Sequence, residues 1–362
     1  MQASSQGAPA LPLPTPAVPV PSTRTPSASS GGTPSSFSSK PNPFVVSACD
    51  GVGGIWLALN LLGLAFHGVC IESNAALAVL THTHFPWLHQ WSDLSSFDPA
   101  SWKSLIVNSQ CNVLLLVGGP PCQPFTCLGN ALGFNDERAQ LIPLFFKLRD
   151  SLSLLAQELQ LPFRWLMEEV ASMPEQARHH ITSLAGSPPA LIHAADWGWV
   201  HRARLFWGMD VSALKSTPLM EAYQPDDLAY TVAVLRWRGE KWPLTFTPHG
   251  GYTWHPTSKC GIRGPKCPGS RWEPTYPDGR LLTFTSAYPH PADALPHQQV
   301  GEAQSCFDAD GGRFPLAHYV PGNLLWKDGA FRPLSADERE TLHGYPQQFT
   351  SRLRPGAQES HS

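Results

Sequence analysis

The chain has 362 residues, room for one large α/β domain with a smaller partner or for two ordinary domains. Its 25 Lys and Arg against 28 Asp and Glu leave a net charge of −3, which excludes a polycation that holds nucleic acid by bulk charge, so any such contact must be local. Eight cysteines without even spacing exclude a small disulfide-stapled domain, and 37 prolines in a chain that is 42% hydrophobic point to linkers or tails. Apolar runs such as Val113 to Val117 and Ile55 to Phe66 fall short of the ~20 residues a bilayer-spanning helix needs, so no membrane partner is expected.

Residues 1–43 contain no acid, only Arg24 and Lys40 as bases, and otherwise mostly Pro, Ser, Ala, Gly and Thr. Such a segment cannot bury enough apolar surface to offset its ordering entropy, and it reads as a disordered tail. An organellar transit peptide would share the Ser-rich, acid-free composition, but it needs more arginine and an amphipathic helix that the prolines forbid.

From Phe44 strand-like and helix-like stretches alternate. FVVSAC (Phe44 to Cys49) leads to an apolar helical run ending at Leu64, then HGVCIES (His67 to Ser73) and a helix near Ala75 to His84. VLLLVGG (Val113 to Gly119) is nearly all apolar, as in a parallel strand covered on both faces. A helix around Gln140 to Leu159, the strand Arg164 to Val170, a helix near Pro174 to Leu184 and strands near Ala190 to Ala195 and Arg204 to Met209 follow. This order predicts an α/β fold with a doubly wound, mostly parallel sheet over 44–210, with ligands at the carboxyl ends of its strands. The stretch 211–331, rich in Pro, Gly, Trp and His, is too long for a loop and lacks helix period, so it reads as a small inserted domain of irregular or β structure. Residues 332–350, with a polar helix at Ser335 to Leu342, return the chain to the first domain, and 351–362 form a short tail.

Four segments carry candidate chemistry. DGVGG (Asp50 to Gly54) joins a strand to a helix, where glycines let backbone amides approach a ligand. Glu72, about 20 residues on, ends the second strand where a carboxylate accepts from ribose hydroxyls, and Asp93 is placed to accept from an adenine amine. GGPPCQPFT (Gly118 to Thr126) pins Cys122 near prolines at a strand end, a rigid aim that suits a nucleophile. MEEV (Met167 to Val170) ends an apolar strand with two acids, where desolvation should raise a carboxyl pKa and make it a proton donor. Strand alternation lets only one of Glu168 and Glu169 share the face of Cys122. In HRARLFW, Arg202 and Arg204 stand on one strand face, suited to phosphate or to the partner carboxyl of the cysteine.

In this order and at these separations, DGVGG, GGPPCQPF, the E-x-V strand end, R-A-R and RPLSADERETLHGYP (Arg332 to Pro346) resemble the cytosine-C5 DNA methyltransferase family, over roughly Val45 to Phe349. WLMEEVASM and HRARLFWGM resemble the animal de novo enzymes, and PPCQPFT both bacterial members and the tRNA-methylating branch. The resemblance implies a Rossmann-like methyltransferase fold with S-adenosyl-L-methionine as cofactor. It implies attack of Cys122 on C6 of a flipped cytosine, Glu168 at N3, and Arg204 with Arg202 positioning carboxylate and base. Asp50, Gly51, Gly53, Gly54, Glu72, Asp93 and Pro121 match the cofactor site, and Gln123 a nucleic-acid contact. DNA is the implied partner and the nucleus the implied compartment, with an organelle as the alternative.

Departures from the family pattern are Cys49 in place of a phenylalanine, Glu169 in place of asparagine, Val200 in place of glutamine, and no match to the family's last motif in Ser351 to Ser362. They make a weak or inactive DNA-binding homologue an alternative reading. The inserted region stands where the family reads its target, and its RWRGEKW and SKCGIRGPKCPGSRW interleave Arg236, Arg238 and Lys259 with tryptophans, suiting phosphate contact and base stacking. Cys260 and Cys267 are spaced too widely for the usual zinc pair, and no metal is expected. tRNA methylation is the rival within the same chemistry. That branch carries a Cys-Phe-Thr signature, which is absent between Val211 and Phe331.

Overall fold

The computed structural model describes residues 40–125, 132–198, 200–215, 220–223, 233–237, 239, 249–251, 253–254, 281–282, 304–305, 307–309, 311, 325–327, 330–332 and 334–351. Arg238, Lys259, Cys260, Cys267 and most of the 211–331 region therefore lie outside the described residues, as do 1–39 and 352–362.

The chain alternates β1 (Pro43–Ala48), α1 (Gly54–Leu61), β2 (His67–Ile71), α2 (Ala75–His84), β3 (His89–Trp91), α3 (Lys103–Asn108), β4 (Val113–Gly118), α4 (Leu141–Glu158), β5 (Phe163–Val170), α5 (Glu175–Ala185) and β6 (Ala190–His193). After these come β7 (Val200–His201), β8 (Ala203–Trp207), α6 (Val211–Lys215), β9 (Met220–Tyr223) and β10 (Ala233–Trp237). Short strands β11 (Thr253–Trp254), β12 (Leu281–Leu282), β13 (Leu325–Lys327) and β14 (Ala330–Arg332) precede α7 (Ala336–His343).

Nine strands form one sheet in the order β3-β2-β1-β4-β5-β8-β6-β10-β9. The strands from β3 to β5 are parallel, and the winding reverses between β1 and β4, the switch point where such sheets bind ligands. β8 runs antiparallel between β5 and β6, in keeping with a sheet expected to be mostly, not wholly, parallel. Its cause is local: the nine residues between His193 and Ala203 are too few for a helical crossover, so the chain folds straight back.

β1 is buried along its whole length and alternates its side chains between two cores. Phe44, Val46 and Ala48 join the cluster built with Phe145, Phe146 and Leu152 of α4. Val45 joins Trp56, Leu57 and Leu59 of α1, Leu77 and Leu80 of α2, and Phe349 near the last described residue. Ahead of β1, Asn42 N–H donates to Asn112 Oδ1 at 2.7 Å, and Asn112 Nδ2 donates to the Lys40 carbonyl at 3.1 Å.

α7 starts with a capping box, Ser335 and Glu338 each bonding the other's backbone N–H, and ends on Gly344 at φ 89°. Glu338 is a buried hub. It accepts from Arg332 Nη1 at 2.6 Å and Nη2 at 2.7 Å, and from His249 N–H at 2.7 Å. Burial raises the Glu338 carboxyl, but these donors and Ser335 N–H outweigh it and hold it below the usual carboxylate range. Beyond α7, the Phe349 ring stacks on His84 of α2 with centroids 4.0 Å apart.

Candidate active site

The first half of the site is the turn after β1. Cys49 (φ 55°), Gly51 (φ 60°) and Gly53 (φ 77°) take the chain through left-handed backbone, which costs a residue with a Cβ and so strains Cys49. Gly51 N–H donates to Glu72 Oε2 at 2.8 Å, and Asn74 N–H donates to Glu72 Oε1 at 2.8 Å. The carboxylate at the end of β2 thus ties the glycine turn to the start of α2. A Cβ on Gly54 would lie 3.0 Å from the Tyr345 hydroxyl and one on Gly53 3.0 Å from Thr81 Oγ1, whereas Gly51 meets nothing within 4 Å. Of the three glycines, Gly51 is the one that faces open space.

Asp50 turns the other way. Its carboxylate accepts from Trp56 Nε1 at 3.1 Å, Cys70 Sγ at 3.2 Å, Thr81 Oγ1 at 3.2 Å and, at short range, Ser47 Oγ. Burial pushes its carboxyl above the ordinary range, against the pull of these four donors. The side chain of Asp50, a residue expected at the cofactor site, fastens β1, α1, β2 and α2 beneath the turn. Asp93 follows β3, and its carboxylate accepts from Ser95 Oγ at 2.7 Å and Ser95 N–H at 2.9 Å, bonds that hold it below the usual range. Cys49 is a neutral thiol, pushed up to about 12 by burial and then by Glu72, Glu169 and Asp50.

The second half begins on the neighbouring strand, because Ala48 of β1 pairs with Gly118 of β4 and the two turns leave the sheet side by side. A Cβ on Gly118 would come within 2.6 Å of the Phe145 ring, so only glycine lets α4 pack here. Pro120 is buried and Pro121 half-buried, and Phe125 N–H donates to the Cys122 carbonyl at 2.9 Å, closing a single 3-10 turn over Gln123–Phe125. Gln123 is exposed on that turn and Cys122 is half-buried. Burial and then Glu169 raise the Cys122 thiol, Arg204 pulls it down, and Glu168 and Arg202 act in the same opposed senses more weakly.

β5 and β8 supply the charges. Glu168 pairs with Phe206 and Val170 with Arg204, so Glu168 and Arg204 share one face as diagonal neighbours, with Glu169 and Leu205 on the other. Arg204 Nε meets Glu168 Oε1 at 2.5 Å and Arg202 Nη2 stands 3.8 Å from the same oxygen. Arg204 Nη1 also donates to the Ala203 carbonyl at 2.8 Å, fixing the guanidinium. Glu168 Oε2 lies on the Gly119 side, 3.4 Å from where a Cβ on that glycine would be. The desolvated acid expected at this strand end is Glu169, with 0% exposure and a carboxyl pushed by burial up to about 8; Glu168 is instead 29% exposed and paired with arginine.

Two residues of the last segment reach this site without having been singled out from sequence. His343, at the end of α7, is held as a neutral ring by burial, which lowers it to about 4 with help from Arg202, Arg339 and Arg204. The Tyr345 hydroxyl, raised to about 12 by burial, feels both Arg202 and Asp50 and stands against Gly54. The HGYP motif was the available signal, but its position relative to two arginines more than 130 residues earlier is a tertiary fact. Arg236 is half-buried on β10, whose Trp237 stacks on Trp197 with centroids 4.5 Å apart.

Residues 45–173, which hold both turns, Glu168 and Glu169, match the family model described as C-5 cytosine-specific DNA methylase. Over this segment the chain resembles the C-5 cytosine-specific methylases. Among solved structures the chain is similar to a Spodoptera frugiperda DNMT2 variant (15% identity, 88% of this chain and 95% of that one, TM-score 0.46). It is also similar to the Entamoeba histolytica methyltransferase EhMeth (14%, 89% and 92%, 0.45) and to S. pombe Dnmt2 (15%, 88% and 94%, 0.44). Methylases of this family take their methyl group from S-adenosylmethionine. The donor set at the glycine turn fits that group: backbone amides, the Glu72 carboxylate for hydroxyl donors, open space at Gly51, and no Lys or Arg between Cys49 and Ala76 to demand a phosphate. Among the described residues no helix is long and apolar enough to cross a membrane.

Proposed function

We propose that the chain methylates cytosine at C5 in DNA through a covalent bond between Cys122 and C6 of the base. The observation that carries this reading is the Glu168–Arg204 pair fixed beside the Cys122 turn at the switch point of the sheet. Cys122 Sγ, as thiolate, attacks C6. Glu168, oriented through Oε1 by Arg204 and Arg202, meets N3 through Oε2 and delivers a proton or hydrogen bond there, so that C5 gains carbanion character. Bound S-adenosylmethionine supplies the methyl group, and Gly51 with Glu72 holds its nucleoside end. Water then takes the C5 proton, the C5–H electron pair reforms the ring double bond and expels Cys122 from C6 as thiolate, and any proton gained at N3 returns to Glu168. Because Cys122 is half-buried, the base must leave its stack to reach it. Gln123, exposed on the same turn, faces the nucleic acid.

The family description supports DNA, and so does the missing Cys-Phe-Thr signature of the tRNA branch. Duplex DNA carrying 5-fluorocytosine should trap a covalent adduct that disappears in Cys122→Ser. An adduct that survives in that variant would overturn the nucleophile, and methyl transfer to tRNA but not DNA, assayed side by side, would overturn the substrate.

A further inference from the structure

The first part of the described chain is short of charge. From Gly51 to Ser92 it holds no Lys, Arg or Asp, and its one acid, Glu72, is tied to the glycine turn and the start of α2. α1 (GIWLALNL) is therefore apolar on every side, the pattern of a helix that is covered all round, yet its buried residues, Trp56, Leu57 and Leu59, account for one side alone. On the other side Ala58, Leu61 and Leu62, spaced i, i+3 and i+4, form an exposed stripe in which Leu61 is 68% and Leu62 70% exposed. The loop after α1 extends it. Leu64 N–H donates to the Leu59 carbonyl at 3.1 Å, folding the loop back, and beyond exposed Ala65 the Phe66 ring lies 5.8 Å from that of Trp87, itself 50% exposed. β4 has the same one-sided cover: Leu114 and Leu116, on the α4 side, are buried, whereas Leu115 and Val117, on the α1 side, are only half-buried. A strand at the centre of a doubly wound sheet is normally covered on both faces.

We propose that a second copy of this chain covers this face, in a two-fold dimer that lays the α1 stripe of each protomer against that of its partner with Ala58 at the crossing. Apolar residues exposed singly need no partner, but a helix stripe, the loop after it and a strand face of the same cluster are left open together here. The charge pattern selects the occupant. Near its axis a two-fold interface sets each residue beside its own copy, so a charge there meets a like charge, and a face without charge is what self-pairing requires. Nucleic acid would need cations on this face, and a lipid surface would be met by a basic rim, but the segment Gly51 to Ser92 has no Lys or Arg to supply either. The small side chain of Ala58 lets the two helices approach closely, and Leu61 and Leu62 fill the space beside the crossing. Because α1 opens at Gly54, pairing also braces the glycine turn. Neither Cys122 nor the nucleic-acid substrate enters into this contact.

The test is sedimentation velocity of the full chain near pH 8, from about 1 to about 100 µM, without nucleic acid or cofactor. At the upper concentrations the wild type should run at twice the 39.5 kDa mass of one chain. Leu62→Glu changes an exposed side chain, so circular dichroism should find it folded, and it sets two carboxylates close across the two-fold, which should weaken the dimer roughly a hundredfold or more. Leu62→Lys should dissociate likewise, and an equimolar mixture of the two variants should restore the dimer. Leu154→Glu, at an equally exposed leucine (67%) of α4 on the opposite face of the sheet, should keep the wild-type dimer. A single-chain mass up to the highest concentration overturns the proposal, as does a dimer that survives in Leu62→Glu or fails to return in the mixture. Flotation of the wild type with phosphatidylcholine vesicles, lost in Leu62→Glu, would assign the face to lipid and overturn it too. These masses are read without substrate, so failure of the 5-fluorocytosine adduct counts against the proposed function alone.

Discussion

The two halves of the site leave adjacent strands yet are held by different forces. The glycine turn is fastened from below by neutral donors converging on one inward carboxylate, Asp50, and presents backbone to the cleft. The cysteine side is held by an ion pair between neighbouring strands, and its polar groups stand beside the turn that carries Cys122. Damage on the first side should therefore appear as lost folding and lost cofactor affinity, and damage on the second as lost turnover in a protein that still folds.

The largest effect should come from Asp50→Ala, which strands the donors of Trp56, Cys70, Thr81 and Ser47 in the core. A loss of about 3–5 kcal/mol in urea unfolding is expected, and a loss below about 1 kcal/mol would mean that the network is ornamental. Glu168→Gln should lower turnover about 10²-fold while calorimetry finds S-adenosylmethionine binding unchanged; a matching fall in cofactor affinity would erase the division between the halves.

Glu169 sharpens the comparison through pH. Folded Glu169 keeps its proton up to about 8, whereas in the unfolded chain it releases it near 4.5, so its contribution to stability falls as pH rises from about 4.5 to about 8 and stays low above that. Glu169→Gln should accordingly gain roughly 4 kcal/mol over the wild type at pH 8 and almost nothing at pH 4.5 in thermal unfolding, and an equal gain at both would refute the assigned protonation. Glu169→Asn should likewise leave methyl transfer equal or better. Gly119→Ala, whose methyl would sit 3.4 Å from Glu168 Oε2, should cost about fivefold in turnover with no change in stability.

The cysteine turn was legible from sequence because prolines and glycines interrupt an apolar strand abruptly, a pattern a core strand does not tolerate. Glu168 and Glu169 were separable in principle by alternation, but which of them is desolvated depends on what packs over each face and on the side chains brought alongside by the neighbouring strand β8. That strand runs antiparallel for want of a long enough connection, and its pairing register is tertiary. The fastening role of the Asp50 side chain was not legible because its four donors, spread from Ser47 to Thr81 over four elements, look unrelated along the chain. β3 passed unseen: three residues, His89–Trp91, show no period at all.

The stack of Phe349 on His84, with its carbonyl bonded to His84 Nε2 at 2.7 Å, spans 265 residues of sequence. A ribosome adding about 5–20 residues per second delivers those two positions roughly 13–50 s apart. Until then α1 and α2 lack the Phe349 ring that completes their core, and Gly54 lacks the Tyr345 hydroxyl. The glycine turn is among the earliest of the described residues to be synthesised and among the last to be closed, because its packing waits until the nascent chain has been made as far as Phe349.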